Sequence, residues 1–300
     1  MEESNAMSQS ARARTMLIVS VTVFGTIGLF VRNISVSSGE LALYRAVMAA
    51  LLIALYFLIS GQRMDFRAIR AELPLLLLSG MAMGINWILL FEAYRYTTVS
   101  VATLSYYFAP VIVTVACPLL FHEKLSPRQI ICFVMSTIGL VLIIGITDLG
   151  GSSDALGILF GLGAAAFYAT VILLNKFIKS VAGIQRTFLQ FLSAIVILIP
   201  YVACTGGLTL GSLDGRGWVC LLIVGLFHTG VTYCLYFSSL RELPGQEVAL
   251  LSYIDPFVAV LVSVFILGEE LTVTQFCGGL LILGFTLLNE LPQKKSASKT

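Results

Sequence analysis

Three ionisable side chains stand inside long apolar stretches of this chain: Asp255, His228 and Arg45. A carboxylate in the middle of an apolar helix costs about 2.5–3.5 kcal/mol on insertion scales, so it must face water or a partner. Asp255 could exchange a proton or balance a positively charged ligand group. It could equally prop the distortion that Pro256 imposes on its helix, and that structural reading weighs more. His228 could relay protons with Asp255, although a hydrogen-bonded interior histidine is the simpler reading. No acidic ligand set accompanies it, so no metal is expected. Arg45 could attract a carboxylate through a bidentate contact. Structurally it could reach outward or pair with Glu40 or Glu92 near the outer surface, and the ion pair is the preferred reading.

Around these three, polar and small residues recur at helical spacing. One stripe carries Thr103, Tyr107, Pro110 and Thr114, and another Gly157, Gly161, Ala164, Tyr168 and Asn175. A third carries His228, Thr232 and Ser239 with Tyr233 alongside, and a fourth Ser252, Asp255, Ala259 and Ser263. With Asn86 and Trp87, the tyrosines Tyr107, Tyr168, Tyr233 and Tyr253 supply flat faces and hydrogen-bonding ends. Such a set suits a zwitterion with an apolar body. The plainer reading is interhelical packing, with Tyr94, Tyr96 and Trp218 in an interfacial belt.

The elements that must position these groups are apolar throughout. Of 300 residues, 58% are hydrophobic and 11% charged, and the mean hydropathy is +0.96. Water-soluble domains carry about 25% charged residues, so the solvent for this surface is lipid. Ten apolar runs are bounded by charge or Gly/Pro clusters, at about 15–32, 39–60, 72–93, 98–120, 128–146, 155–176, 185–204, 217–240, 245–267 and 273–290. Most are long enough for a helix to cross a hydrocarbon core of about 30 Å. The six cysteines lie scattered in these runs and read as small apolar residues. Gly80-x-x-x-Gly84 and Gly157-x-x-x-Gly161 permit close helix approach.

Phe91–Leu125 reappears 146 residues later as Phe237–Leu271: Phe91 falls on Phe237, Arg95 on Arg241, Leu104 on Leu250, Tyr107 on Tyr253, Pro110 on Pro256 and Glu123 on Glu269. With the N-terminus inside, fourteen of the eighteen Lys and Arg residues fall in cytoplasmic segments. Arg32, Arg95 and Arg216 fall outside, and Arg45 lies within a span. This bias puts both termini in the cytoplasm of a plasma-membrane protein. Each copy holds five spans, an odd number, so the second copy enters the membrane upside down. The expected fold is all-α: ten transmembrane helices as two inverted five-helix repeats. The division is a cytoplasmic tail at 1–14, a first repeat at 15–146, an external linker at 147–154, a second repeat at 155–290 and a cytoplasmic tail at 291–300.

The repeat ends carry a family resemblance. Tyr107-Phe108-Ala109-Pro110 followed by Phe121-His122-Glu123-Lys124-Leu125-Ser126, and Tyr253-Ile254-Asp255-Pro256 followed by Leu267-Gly268-Glu269-Glu270-Leu271-Thr272, resemble the drug/metabolite transporter superfamily, specifically its EamA-type exporters. The first half departs with Ala109 in place of an acid and His122 in place of glycine. The resemblance covers about residues 15–290. It implies a central cavity lined by helices 1, 3, 4, 6, 8 and 9, through which a small polar metabolite is exported or exchanged.

The expectation is therefore a secondary active transporter, not an enzyme, that moves amino acids or related compounds by alternating access. Pro110 and Pro256 would break helices 4 and 9 as gates, and protons are a candidate coupling ion at Asp255. A channel-like facilitator, or a membrane receptor or assembly subunit, is the alternative. No phosphate-binding loop, hydrolase motif or basic nucleic-acid surface is present, and no cofactor is expected. The partners expected are the substrate and the bilayer, with the chain a monomer or weak homodimer.

Overall fold

The computed structural model describes residues 2–290 apart from 63, 65, 122–125, 145–151, 182, 241–242 and 244–250. Arg63, the turn from His122 to Leu125, most of the 147–154 linker, Arg241, Leu250 and the 291–300 tail lie outside the described residues. Among those described, the regular elements are all helical and group into ten spans. They are α1 (Glu2–Gly25, continued by Ile27–Val31), α2 (Ser38–Ser60), α3 (Phe66–Tyr96) and α4 (Val99–Tyr106, then Ala109–Phe121). Next come α5 (Pro127–Ile144), α6 (Ser152–Phe177) and α7 (Gly183–Thr205). The last are α8 (Gly215–Leu222, Ile223–Val231, Thr232–Leu240), α9 (Ile254–Leu261, Val262–Ile266) and α10 (Val273–Glu290).

Seven of these spans are long and apolar enough to cross a membrane, and α5, α9 and α10 are apolar but shorter. Leu58, Phe265 and Val273 are each close to four-fifths exposed. In water such a surface would be untenable, whereas against lipid it is the expected outer face of a multi-pass membrane protein.

Local chemistry sets the helix ends. Ser37 and Glu40 form a reciprocal capping box at the start of α2, and Gly61 closes that helix at φ +64°. The repeat is visible in the caps themselves. Ser126 N–H donates to Gln129 Oε1 while Gln129 N–H donates to Ser126 Oγ, and Thr272 and Gln275 make the same exchange at α10. These pairs are 146 residues apart, so the Ser/Thr that opens each last helix is a cap.

The largest interfaces join one half to the other. They are α3 with α6 and α7, α5 with α10, α2 with α7 and α8, α1 with α8 and α9, and α4 with α6 and α9. Exchanging each helix with its counterpart five further along turns α3·α6 into α8·α1, α3·α7 into α8·α2 and α4·α6 into α9·α1. The pairs α2·α7, α4·α9 and α5·α10 map onto themselves. This is the packing of two inverted repeats about one two-fold axis. In the α5·α10 pair Gly139 and Gly278 meet so closely that a Cβ at Gly278 would lie 2.4 Å from the Gly139 carbonyl oxygen.

Four departures from regular α-helix bear on the interior. Both α4 and α9 are interrupted shortly before their prolines: α4 turns at Tyr107–Phe108, ahead of Pro110, and α9 turns at Tyr253, ahead of Pro256. The middle of α8, Ile223–Val231, winds as a π-helix, and so does the end of α9. Its counterpart α3 is α-helical throughout, so the repeat is broken there.

Candidate functional site

A cavity of about 320 Å³ lies between the halves. Helices α1, α3, α4, α6, α8 and α9 line it as the resemblance implied, and α2 and α7 contribute as well. Of the residues singled out from sequence, Arg45, Asn86, Trp87, Tyr107, Tyr168, Tyr233 and Asp255 all reach its wall. Its volume lies at the lower limit for small-molecule sites, and its lining is mainly apolar and aromatic with few polar groups.

Several of those polar groups already have fixed partners. Asn86 Nδ2 donates to the Ala164 carbonyl at 2.6 Å and thereby pins α3 to α6. The Tyr107 hydroxyl donates to Asp255 Oδ2 at 2.7 Å, across the two halves. Tyr168 remains 38% exposed, with its ring 5.3 Å from that of Tyr106. Tyr233 wedges between Phe24 and Phe191, at 5.0 and 5.4 Å.

Arg45 is the principal correction. It is only 4% exposed, and it forms no ion pair with Glu40 or Glu92. Glu40 accepts from the Ser37 backbone, Tyr44, and the Thr209 backbone and hydroxyl, while Glu92 pairs with Arg95 at 3.1 Å. Arg45 turns inward instead. Its Nε donates to Thr229 Oγ1 at 3.0 Å, and its guanidinium lies 4.4 Å over the Trp87 ring and 5.3 Å over that of Phe91.

His228 and Tyr253 do not line the cavity. The π-turn of α8 carries His228 onto α1, where Nε2 meets Thr26 Oγ1 at 2.9 Å and Phe30 packs edge-on at 5.0 Å. Tyr253 sits one position off the Ser252 and Asp255 face that reaches the cavity. Pro110 and Pro256 stay in the helix walls and do not line the cavity.

The cavity differs at its two ends. At one, Glu269 gathers three helices: its carboxylate pairs with Arg32 of α1 at 2.7 Å, accepts from the Val99 N–H of α4 at 2.8 Å, and accepts from Ser263 Oγ of α9. Arg32 also donates to the Thr97 carbonyl at 2.7 Å. A vestibule of about 670 Å³ lies on this side, lined by Arg32, Arg95 and Glu40 among others. Among the described residues Tyr94 alone borders both vestibule and cavity, with its hydroxyl 3.4 Å from Thr103 Oγ1. It is buried, not part of an interfacial belt. Towards the opposite end the lining becomes polar: Asn175, Arg186, Thr187 and Gln190, where Gln190 Nε2 donates to Ser79 Oγ and Asn175 Oδ1 at 2.6 and 2.8 Å.

Sequence reasoning missed Tyr94, Tyr106, Tyr236, Arg186, Gln190 and the Glu269 junction. A glutamine one turn after an arginine, inside an apolar run, was a readable signal for the Arg186–Gln190 face. Glu269 acts through backbone groups of a distant segment, and nothing in its neighbours signals that.

The EamA-like transporter family matches this sequence twice, over residues 12–145 and 155–290. An uncharacterized transporter of Bacillus subtilis strain 168, YxxF, is 29% identical over 305 residues, covering 100% of this chain and 96% of that protein. An uncharacterized transporter of Archaeoglobus fulgidus is 27% identical over 273 residues, covering 91% and 94%. One solved crystal structure superposes with a TM-score of 0.64 at 15% identity over 91% of this chain and 95% of its own, a likeness of fold.

Proposed function

Because the chain belongs to the EamA-like transporter family, we propose that it exports or exchanges small polar metabolites, amino acids or related compounds, as a secondary active transporter working by alternating access. One observation carries this reading: a central cavity tied shut at the Glu269 end runs towards polar groups at the Arg186 end. The excess of Lys and Arg around the Arg186 end supports a cytoplasmic assignment for that end, with both termini inside the cell and the bundle in the plasma membrane. The state described is then inward-facing, and the inverted repeat supplies the outward-facing one by exchanging the packing of the halves.

In this scheme the substrate is moved without covalent change. Asp255 is the group through which protons couple, and the transporting unit is a monomer or weak homodimer. Counterflow in proteoliposomes tests the proposal. Vesicles loaded with an unlabelled amino acid should transiently concentrate its labelled form from outside. Simple equilibration without overshoot would mark a pore, and binding without flux a receptor.

A further inference from the structure

We infer that Thr229 is a positioning residue that sets Arg45 to read a carboxylate in the central cavity. The inference rests on that cavity being the substrate site. Arg45 lines the cavity, is almost wholly buried, and has no carboxylate partner among the described residues. Asp255, the acid sharing the cavity, accepts from Tyr107. A buried guanidinium without an anion is costly, and stacking on Trp87 offsets only part of that cost. The missing anion is one that comes and goes.

Thr229 decides which edge of the guanidinium is presented. Its hydroxyl donates to the Val224 carbonyl at 2.8 Å, five residues back, a span that follows the π-winding of α8. With that proton committed, the lone pairs face Arg45 and hold Nε at 3.0 Å. The two terminal nitrogens are left as the fork that matches a carboxylate. A phosphate would bring a second negative charge near Asp255, so a monoanionic carboxylate is the better complement. The apolar and aromatic lining suits the body that carries it.

The test uses fluorescence of the full-length protein. The chain has two tryptophans, and Trp218 lies outside the cavity lining, so W218F leaves Trp87 as a reporter beneath Arg45. Titration with glycine, leucine and phenylalanine, and with the primary amide of each, should show acids binding roughly tenfold tighter than amides. T229S should keep that ratio. T229V should shrink the acid preference while the amide's own affinity holds, and R45K should shrink it likewise, because an ammonium keeps the charge and lacks the fork. Should T229V not fold, T229A is read in its place.

A Thr229 that served only packing would weaken acid and amide alike, and that result overturns the inference. So does a W218F protein without acid preference, or one in which no acid registers at millimolar concentration. Counterflow without acid preference removes the Arg45 reading and leaves transport standing. Acid-selective binding without counterflow does the reverse.

Discussion

The hydroxyl of Tyr107 and the carboxylate of Asp255 are joined at 2.7 Å, although 148 residues separate them and they belong to opposite halves. The bond links the interruption of α4 to that of α9. The repeat places Tyr253 opposite Tyr107 and Ala109 opposite Asp255, so the mirror-image bond has no acceptor and is made once only. A near-symmetric frame thus holds an asymmetric polar link at its centre. Such a link can distinguish the two facing states, which symmetry alone would leave equal in energy.

If Asp255 carries the coupled proton, D255N should transport with no dependence on the pH gradient, because an amide has nothing to release. Y107F keeps the carboxylate and removes one hydrogen bond, worth about 1 kcal/mol net. It should retain pH dependence while shifting the balance of states about fivefold. Flux in proteoliposomes at several imposed gradients checks both. A D255N protein with wild-type pH dependence would remove protons from the mechanism at this residue.

Why so much of this molecule was readable follows from lipid. Inside a bilayer the backbone must satisfy itself, so apolar runs become helices and their count follows from length. The inverted repeat came from an odd number of spans between matching prolines, and the packing pairs obey it. The site was half-legible for a reason particular to each residue. Asn86, Trp87, Tyr107 and Asp255 lie on polar faces at regular α spacing and reach the cavity. His228 is the hydrogen-bonded interior histidine of the simpler reading, and it misses the cavity because the π-helix of α8 changes residue spacing, which the pattern Gly225–Val231 gives no means to foresee. Arg45 departs from the expected ion pair because Glu40 and Glu92, the acids expected near it at the outer membrane face, are claimed by Thr209 and Arg95.

The Glu269 junction should behave as a latch. E269Q removes the ion pair with Arg32 and weakens the acceptor for the Val99 N–H. Loss of a largely buried charged acceptor costs about 1–3 kcal/mol, discounted here because Arg32 is one-third exposed. A single cysteine at Thr103, below the junction, should then react several-fold faster with a charged thiol reagent added at the Glu269 side. An unchanged rate would show that other contacts hold this end closed.

Tyr94 makes a separate prediction because it is the residue common to vestibule and cavity. Y94A should connect the two spaces and permit uncoupled leak of substrate, whereas Y94F, which keeps the ring and loses only the 3.4 Å contact to Thr103, should not. Efflux from loaded vesicles lacking any exchangeable substrate outside measures the leak. Equal leak in both variants would assign the barrier to the hydroxyl, and no leak in either would move it elsewhere.

The prolines provide the last test. A proline inside a helix has no N–H to offer the carbonyl four residues earlier. For Pro110 and Pro256 those carbonyls belong to Tyr106 and Ser252, and both residues line the cavity. Restoring an N–H with P110A or P256A lets each helix close its missing bond and straighten, stabilising whichever state has the straighter helix. Each variant should therefore fold, with a melting temperature at or above that of the parent chain, and transport more slowly. Because α4 and α9 are exchanged by the two-fold relation, the two variants should also trap opposite facing states. Thiol labelling from the two sides would then change in opposite directions. Wild-type flux in both would mean that the turns at Tyr107 and Tyr253 are fixed features of the walls and take no part in gating.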